Sequence, residues 1–329
     1  MLNPEIVMWV GFILASYAVV GNDSIQTLGT FINSNGKKKW YVLWAFAGII
    51  LTGTLIYGWY INNGDVSYAR LSKYPMPEPM AWYYILPPLV LMFITRVGIP
   101  VSTSFMVLTF FSPKNLNDMM FKSLLGYIVA FAGAFIVYLI ITNWVEKKFL
   151  SNGITNKSKK TWTILQWVAT GFLWSQWLIQ DFANIYAYLP RKISFNELLL
   201  SLTIILSMLA YIFYSKGGAI QKIVKSKTNT ADIRSATIVD FIYALVLLYF
   251  KELNNLPMST TWVFIGLLAG RELAIRVRLN NLSGATWKNV GADLAKVTLG
   301  LVVSIALVFL IRWMADGQIN LPLIGLITR

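Results

Sequence analysis

Long apolar runs separated by short polar stretches dominate the chain. The runs cover roughly residues 4–32, 40–61, 81–112, 121–145, 161–189, 196–214, 236–250, 256–270 and 292–314. A helix needs about 20 residues to cross the hydrocarbon core of a bilayer. These runs are continuous and do not alternate with period two, so they predict helices and not the strands of a membrane barrel. Three of them, 4–32, 81–112 and 161–189, are too long for one span and contain polar residues or prolines. Each predicts a broken or re-entrant helix, which is tolerated where the freed backbone is buried in protein or lines an aqueous cavity. Stretches 62–65, 151–156 and 280–284 read as turns, and no room is left for a separate soluble domain.

Two polar motifs each occur twice, in the same order. Gly21-Asn22-Asp23-Ser24-Ile25-Gln26-Thr27 has a counterpart in Ile179-Gln180-Asp181-Phe182-Ala183-Asn184-Ile185. Pro100-Val101-Ser102-Thr103-Ser104 has one in Pro257-Met258-Ser259-Thr260-Thr261. The aspartates are 158 residues apart and the prolines 157. Two independent motifs at matching offsets predict a duplicated membrane repeat, with units at 1–150 and 151–329.

The motifs carry the candidate chemistry. Asp23 precedes Gln26 by three residues, and Asp181 precedes Asn184 by three, so on a helix each carboxylate shares a face with an amide. An ionisable group within lipid costs several kcal/mol and by default marks an ion or substrate path. Asp23 and Asp181, with Asn22, Gln26, Gln180 and Asn184, offer hard oxygen ligands suited to Na⁺, and a lone carboxylate could instead carry H⁺. The competing reading of each aspartate is a helix cap in the headgroup region; recurrence in both units favours the ion site. In the second motif, proline ends one helix and starts the next, and Ser102, Thr103, Ser259, Thr260 and Thr261 supply caps and hydroxyls. Such positive helix ends bind anions without lysine or arginine. Of the remaining polar residues in or near apolar runs, Lys251 with Glu252 and Arg271 with Glu272 fall where spans end and read as snorkelling side chains or interfacial ion pairs. Arg96, Asp240, Asp293 and Lys296 carry weaker signals.

Composition sharpens the class. Only 13% of the 329 residues are charged, against about 25% in soluble domains, and mean hydropathy is +0.60. The net charge of +14 gathers beside the spans, at 37–39, 147–148, 157–160 and 216–227, where basic residues face anionic headgroups. A nucleic-acid surface would need a soluble domain. With no Cys and no His, disulfides, thiolate catalysis, zinc sites and histidine relays are excluded. The 13 tryptophans read mostly as interface anchors. Residues 1–5 lack a basic leader pattern, so the first span is expected to be retained.

At these motifs the chain resembles the inorganic phosphate transporter (PiT) family of Na⁺- or H⁺-coupled phosphate symporters, which includes some sulfate permeases. Asn22, Asp23, Gly29 and Thr30 match its early motif; so do Asp181, Ala183 and Asn184 in the second half. Pro100, Ser102 and Thr103, then Pro257, Ser259, Thr260 and Thr261, match its late motif. Gln26 and Gln180 stand where the family has Asn, Ala187 where it usually has Gly, and Phe105 and Trp262 where it has His. The resemblance implies an all-α integral membrane fold of two inverted-topology repeats with broken or re-entrant helices, about 10–12 membrane segments in all. It also implies, often, a homodimer.

The expected function is cation-coupled symport of inorganic phosphate, Na⁺ before H⁺, with no other cofactor and no enzymatic activity. Asp23, Asp181, Gln26 and Gln180 would couple the cation; Ser102, Thr103, Ser259, Thr260, Thr261, Asn22 and Asn184 would bind the oxyanion. A bacterial inner membrane is the default location. Alternatives are a sulfate permease on the same scaffold, a membrane enzyme on lipid-linked phosphate, and a non-transporting homologue. The enzyme is disfavoured because neither Asp motif holds a second nearby acid.

Overall fold

The computed structural model describes residues 3–96, 101–141, 155–216, 233–253, 257–278, 280 and 284–316. Pro100, Lys147, Lys148 and the basic stretch 217–227 lie outside them, as do the side chains of Arg96, Glu252, Asp293 and Lys296. The described residues are helical, with no strand. In order, the helices are α1 (Pro4–Asn22), α2 (Ser24–Ser34), α3 (Trp40–Ile61), α4 (Leu86–Arg96), α5 (Thr103–Phe111), α6 (Leu116–Ile141) and α7 (Asn156–Tyr186). They continue with α8 (Phe195–Tyr214), α9 (Ile233–Leu253), α10 (Thr260–Arg278) and α11 (Gly284–Asp316). Helices α1, α3, α6, α8 and α9 lie in segments long and apolar enough to cross a membrane. This is a multi-pass, all-α membrane protein.

Helix α3 shows why the pattern works. Leu43, Ala47, Leu51 and Leu55, spaced four apart, pack inward, while Ile49, Tyr57 and Tyr60 point outward. A helix apolar all round is stable only where its outer face meets lipid.

Two of the three long runs break as expected. Run 4–32 divides at Asp23, between α1 and α2, where the Ser24 hydroxyl takes the Val20 carbonyl. Run 81–112 divides into α4 and α5. Run 161–189 does not divide: α7 is one helix of 31 residues. Phe182 occupies the position equivalent to Ser24, and it offers no hydroxyl to compete with the backbone ladder. Asp181 is therefore held inside a continuous helix, whereas Asp23 sits at a junction.

Helices from the first and second halves of the chain pack together. Helix α6 packs along α10, α1 lies on α8, and α2 contacts both α7 and α9. Where α6 crosses α10, Gly266 and Gly270 leave no room for a Cβ against the backbone carbonyls of Tyr127 and Phe131. Several tryptophans act in packing and not as interface anchors. Trp174 and Trp177 stack in the core, and the Trp174 indole donates to the Ala47 carbonyl at 2.9 Å. At the end of α10, Glu272 forms an ion pair with Arg276 at 3.0 Å, and Arg271 lies over the Tyr138 ring.

A clamp holds the loop after α3. The turn at its start needs Gly64, which has φ +97° and whose carbonyl accepts the Ile193 N–H at 3.0 Å. Arg191 donates through Nε and Nη2 to the Tyr74 carbonyl, at 3.0 and 2.8 Å. Its Nη1 donates to the carbonyls of Ala187 and Leu189, at 3.1 and 2.9 Å. Burial pushes Arg191 down to about 10, with Asp65 pulling the other way, so it stays charged at neutral pH. Arg191→Gln is expected to cost about 1.5–3 kcal/mol, because charge-assisted bonds to carbonyls are lost together. A thermal melt in detergent tests this; an unchanged midpoint would show the clamp to be idle.

Candidate functional site

The site grows from the α1–α2 junction. Asp23 Oδ1 accepts from Asn22 Nδ2 at 2.8 Å and from Gln26 Nε2 at 3.4 Å. The Thr103 hydroxyl donates to Oδ2 of the same carboxylate. Thr103 opens α5, whose N-cap Ser102 accepts the Phe105 N–H at 3.4 Å. The two halves of the first unit's motif thus meet although 80 residues separate Asp23 from Thr103.

The second pair of motifs makes a similar arrangement. Asp181 Oδ1 accepts from Asn184 Nδ2 at 2.6 Å, and the Thr260 hydroxyl stands at the same carboxylate. Ser259 caps α10 by accepting the Trp262 N–H at 3.4 Å. Its own N–H is taken by Ser123 Oγ at 2.9 Å. Gln180 departs from its counterpart Asn22: its amide donates to the Leu247 carbonyl on α9, at 3.3 Å.

Reciprocal contacts tie the units together. Gln26 Nε2 donates to Thr261 Oγ1 at 3.1 Å, and Asn184 Nδ2 donates to Ser104 Oγ at 3.0 Å. These are the same pair of positions taken once in each direction. Asn22, Asp23, Gln26, Ser102, Thr103, Gln180, Asp181, Asn184, Ser259, Thr260 and Thr261 are all buried. The tertiary structure links Asn22, Asp23, Gln26, Thr103 and Thr261 by hydrogen bonds, links Asp181, Asn184 and Ser104 likewise, and lets the two carboxylates act on each other electrostatically.

Four oxygens in this cluster have no donor: Gln26 Oε1, Gln180 Oε1, Asp181 Oδ2 and Asn184 Oδ1. A buried acceptor left unpaired costs about 1–3 kcal/mol, so a group of them calls for a ligand. Carboxylate and amide oxygens with no nitrogen or sulfur among them suit a hard cation. Positive charge enters from elsewhere. Arg70, 2% exposed, acts electrostatically on Asp181 and on Lys122, which is buried on α6. Neither was recognisable in the sequence, because Arg70 lies in a polar loop and Lys122 on an otherwise ordinary span. Tyr243 was missed as well; its hydroxyl donates to the Thr260 carbonyl at 2.9 Å.

Neither motif holds a second acid of its own, yet folding brings the two motif acids within electrostatic reach of each other.

No protein-family model matches the chain, and no curated protein sequence matches it. A solved structure described as "The sodium-dependent phosphate transporter" does match. The likeness covers 95% of this chain and 99% of that one, with a TM-score of 0.64 and 16% sequence identity. At that identity the likeness establishes a shared fold.

Proposed function

We propose that this protein is a divergent phosphate-transporter homologue that carries inorganic phosphate across a membrane together with Na⁺. The observation that carries the reading is the buried cluster around Asp23 and Asp181, with its four donorless oxygens and two hydroxyl-lined helix starts. The shared fold with a sodium-dependent phosphate transporter supports it. In this mechanism Na⁺ occupies the oxygen cage formed by Asp23, Asp181, Gln26 and Gln180. Its charge offsets the two carboxylates, which would otherwise repel an oxyanion. The hydroxyls of Ser102, Thr103, Ser259, Thr260 and Thr261, with the amides of Asn22 and Asn184, then donate to phosphate oxygens. Arg70 adds a fixed positive field at Asp181.

Two inverted-topology repeats, 1–150 and 151–329, would rock about this cluster to expose it alternately. The reciprocal Gln26–Thr261 and Asn184–Ser104 bonds support that symmetry, and they are the contacts that such rocking would exchange.

Uptake of labelled phosphate or sulfate into proteoliposomes, with and without an inward Na⁺ gradient, tests the proposal. Phosphate accumulation that requires Na⁺ and is blocked by unlabelled phosphate is the expected result. Accumulation of sulfate alone would change the substrate and keep the mechanism. No accumulation of either by folded protein would overturn it.

A further inference from the structure

A second buried acid lies apart from the cluster described above. Asp240, 1% exposed, projects from α9 between α2 and α7. The Thr30 hydroxyl donates to Oδ1 at 2.7 Å and the Thr170 hydroxyl to Oδ2 at 2.6 Å. Both oxygens are therefore satisfied, but only by neutral groups. Hydroxyl donors bring hydrogen bonds and no charge, and an ionised carboxylate buried without a counter-charge is costly.

The placement connects this acid to the transport cluster. Thr30 follows Asp23 by seven residues, about two turns along the same side of α2. Thr170 precedes Asp181 by eleven, about three turns along the same side of α7. On α9 itself, Tyr243 lies one turn beyond Asp240 and holds the Thr260 carbonyl. Asp240 thus touches both helices that carry the site acids, and its own helix touches the α10 cap. Besides Asp240, the buried titratable groups among the described residues of these three helices are Asp23 at the cap of α2, Asp181 and Tyr186 on α7, and Arg234 and Tyr243 on α9. Nearby on other elements, Lys122 lies on α6 and Arg271 on α10. The hydrogen bonds to the Asp240 carboxylate come from the two threonines.

We infer that Asp240, held between Thr30 and Thr170, is a proton-binding site on the transport route, loaded and unloaded as the substrate moves. A proton fits better than a metal ion here. A hard cation gathers about six oxygens, whereas three side chains supply at most four and no donorless oxygen lies among them. A proton needs one carboxylate oxygen and leaves the other to accept from a threonine. Protonation removes the buried charge, changes which hydroxyls donate, and so alters the link between α2 and α7.

The inference rests on the transport reading only for its effect on uptake, and the test separates the two. Infrared difference spectra of the reconstituted protein between acidic and alkaline pH, without phosphate or Na⁺, read protonated carboxyl groups directly. A pH-dependent carboxyl band that is absent in Asp240→Asn, and displaced in both Asp240→Glu and Thr170→Val, is the expected result. If Asp240→Asn fails to fold, the displacements in the other two variants decide the matter. A band unaffected by all three substitutions, or one that follows Na⁺ and ignores pH, overturns the inference. In uptake assays at fixed Na⁺, an inward gradient of one pH unit should raise wild-type accumulation by about tenfold if one proton moves with each anion. That gain should vanish in Asp240→Asn and return in Asp240→Glu; a gain intact in Asp240→Asn overturns it. Wild-type protein that takes up no anion yet shows the Asp240 band would sink the transport reading and leave the proton site standing.

Discussion

Replacing Asp181 by asparagine is expected to lower Na⁺-driven phosphate uptake by about 100-fold or more, with the chain still folded. The substitution keeps the side chain's shape and removes its charge. A charged group's hydrogen bonds and ion contacts are worth about 1.5–3 kcal/mol each, and two of them correspond to roughly 10²–10⁴ in an equilibrium constant. Asp181 is the more sensitive of the pair, because its Oδ2 has no internal donor and is the acid oxygen left for a cation. Asp23 differs: Asn22, Gln26 and Thr103 already bond its carboxylate. Asp23→Asn should therefore also disturb the α1–α2 junction and lower the melting temperature, which Asp181→Asn should do less. The measurement is initial uptake rate against Na⁺ concentration for wild type and both variants, with melts as controls. Uptake unchanged in both would remove the carboxylates from the mechanism.

The largest effect on stability is expected at the crossing of α6 and α10. A methyl group at Gly266 or Gly270 would run into the backbone carbonyl of Tyr127 or Phe131, and a backbone atom cannot rotate aside as a side chain can. Small residues four apart let membrane helices approach this closely, and enlarging them forces the helices apart. Each Gly→Ala change should cost about 1–3 kcal/mol, in the range of overpacked cores. The double variant should lose more. Gly53 and Gly133 provide the control, since a methyl at either meets nothing within 4 Å. There the change should stay within about 0.5 kcal/mol, as for ordinary surface substitutions. Equal melting temperatures for the two pairs would show that the crossing is looser than the geometry indicates. Because α10 begins at the Thr260 and Thr261 of the site, loosening it should also reduce uptake.

The Gly266–Gly270 spacing could have been found in the sequence as two small residues one turn apart in an apolar run, and it was not. The duplicated motifs were found, because Asp-amide and Pro-Ser-Thr strings are improbable in apolar surroundings and retain their offsets. Two expectations built on those motifs needed correction for a local reason. Run 161–189 stays helical because Phe182 replaces the hydroxyl of Ser24, and Gln180 turns to α9 where Asn22 turns to Asp23.

Hydropathy and its interruptions were enough to establish a helical membrane protein and the residues most costly to bury there. That information is local: each apolar run and each polar intrusion carries its own transfer energy, whatever its neighbours. Which polar groups meet was decided by folding alone. Asp23 finds Thr103, Gln26 finds Thr261, and Asp240 finds Thr30 and Thr170. Arg70 acts on Asp181 and on Lys122 although nothing in their surroundings in the chain sets either apart. Partnership across 70 to 235 residues depends on how helices cross, and the crossing of α6 on α10 depends on carbonyls approached by glycines. Periodicity along one chain contains the faces of the helices; it does not contain the angle at which those faces meet.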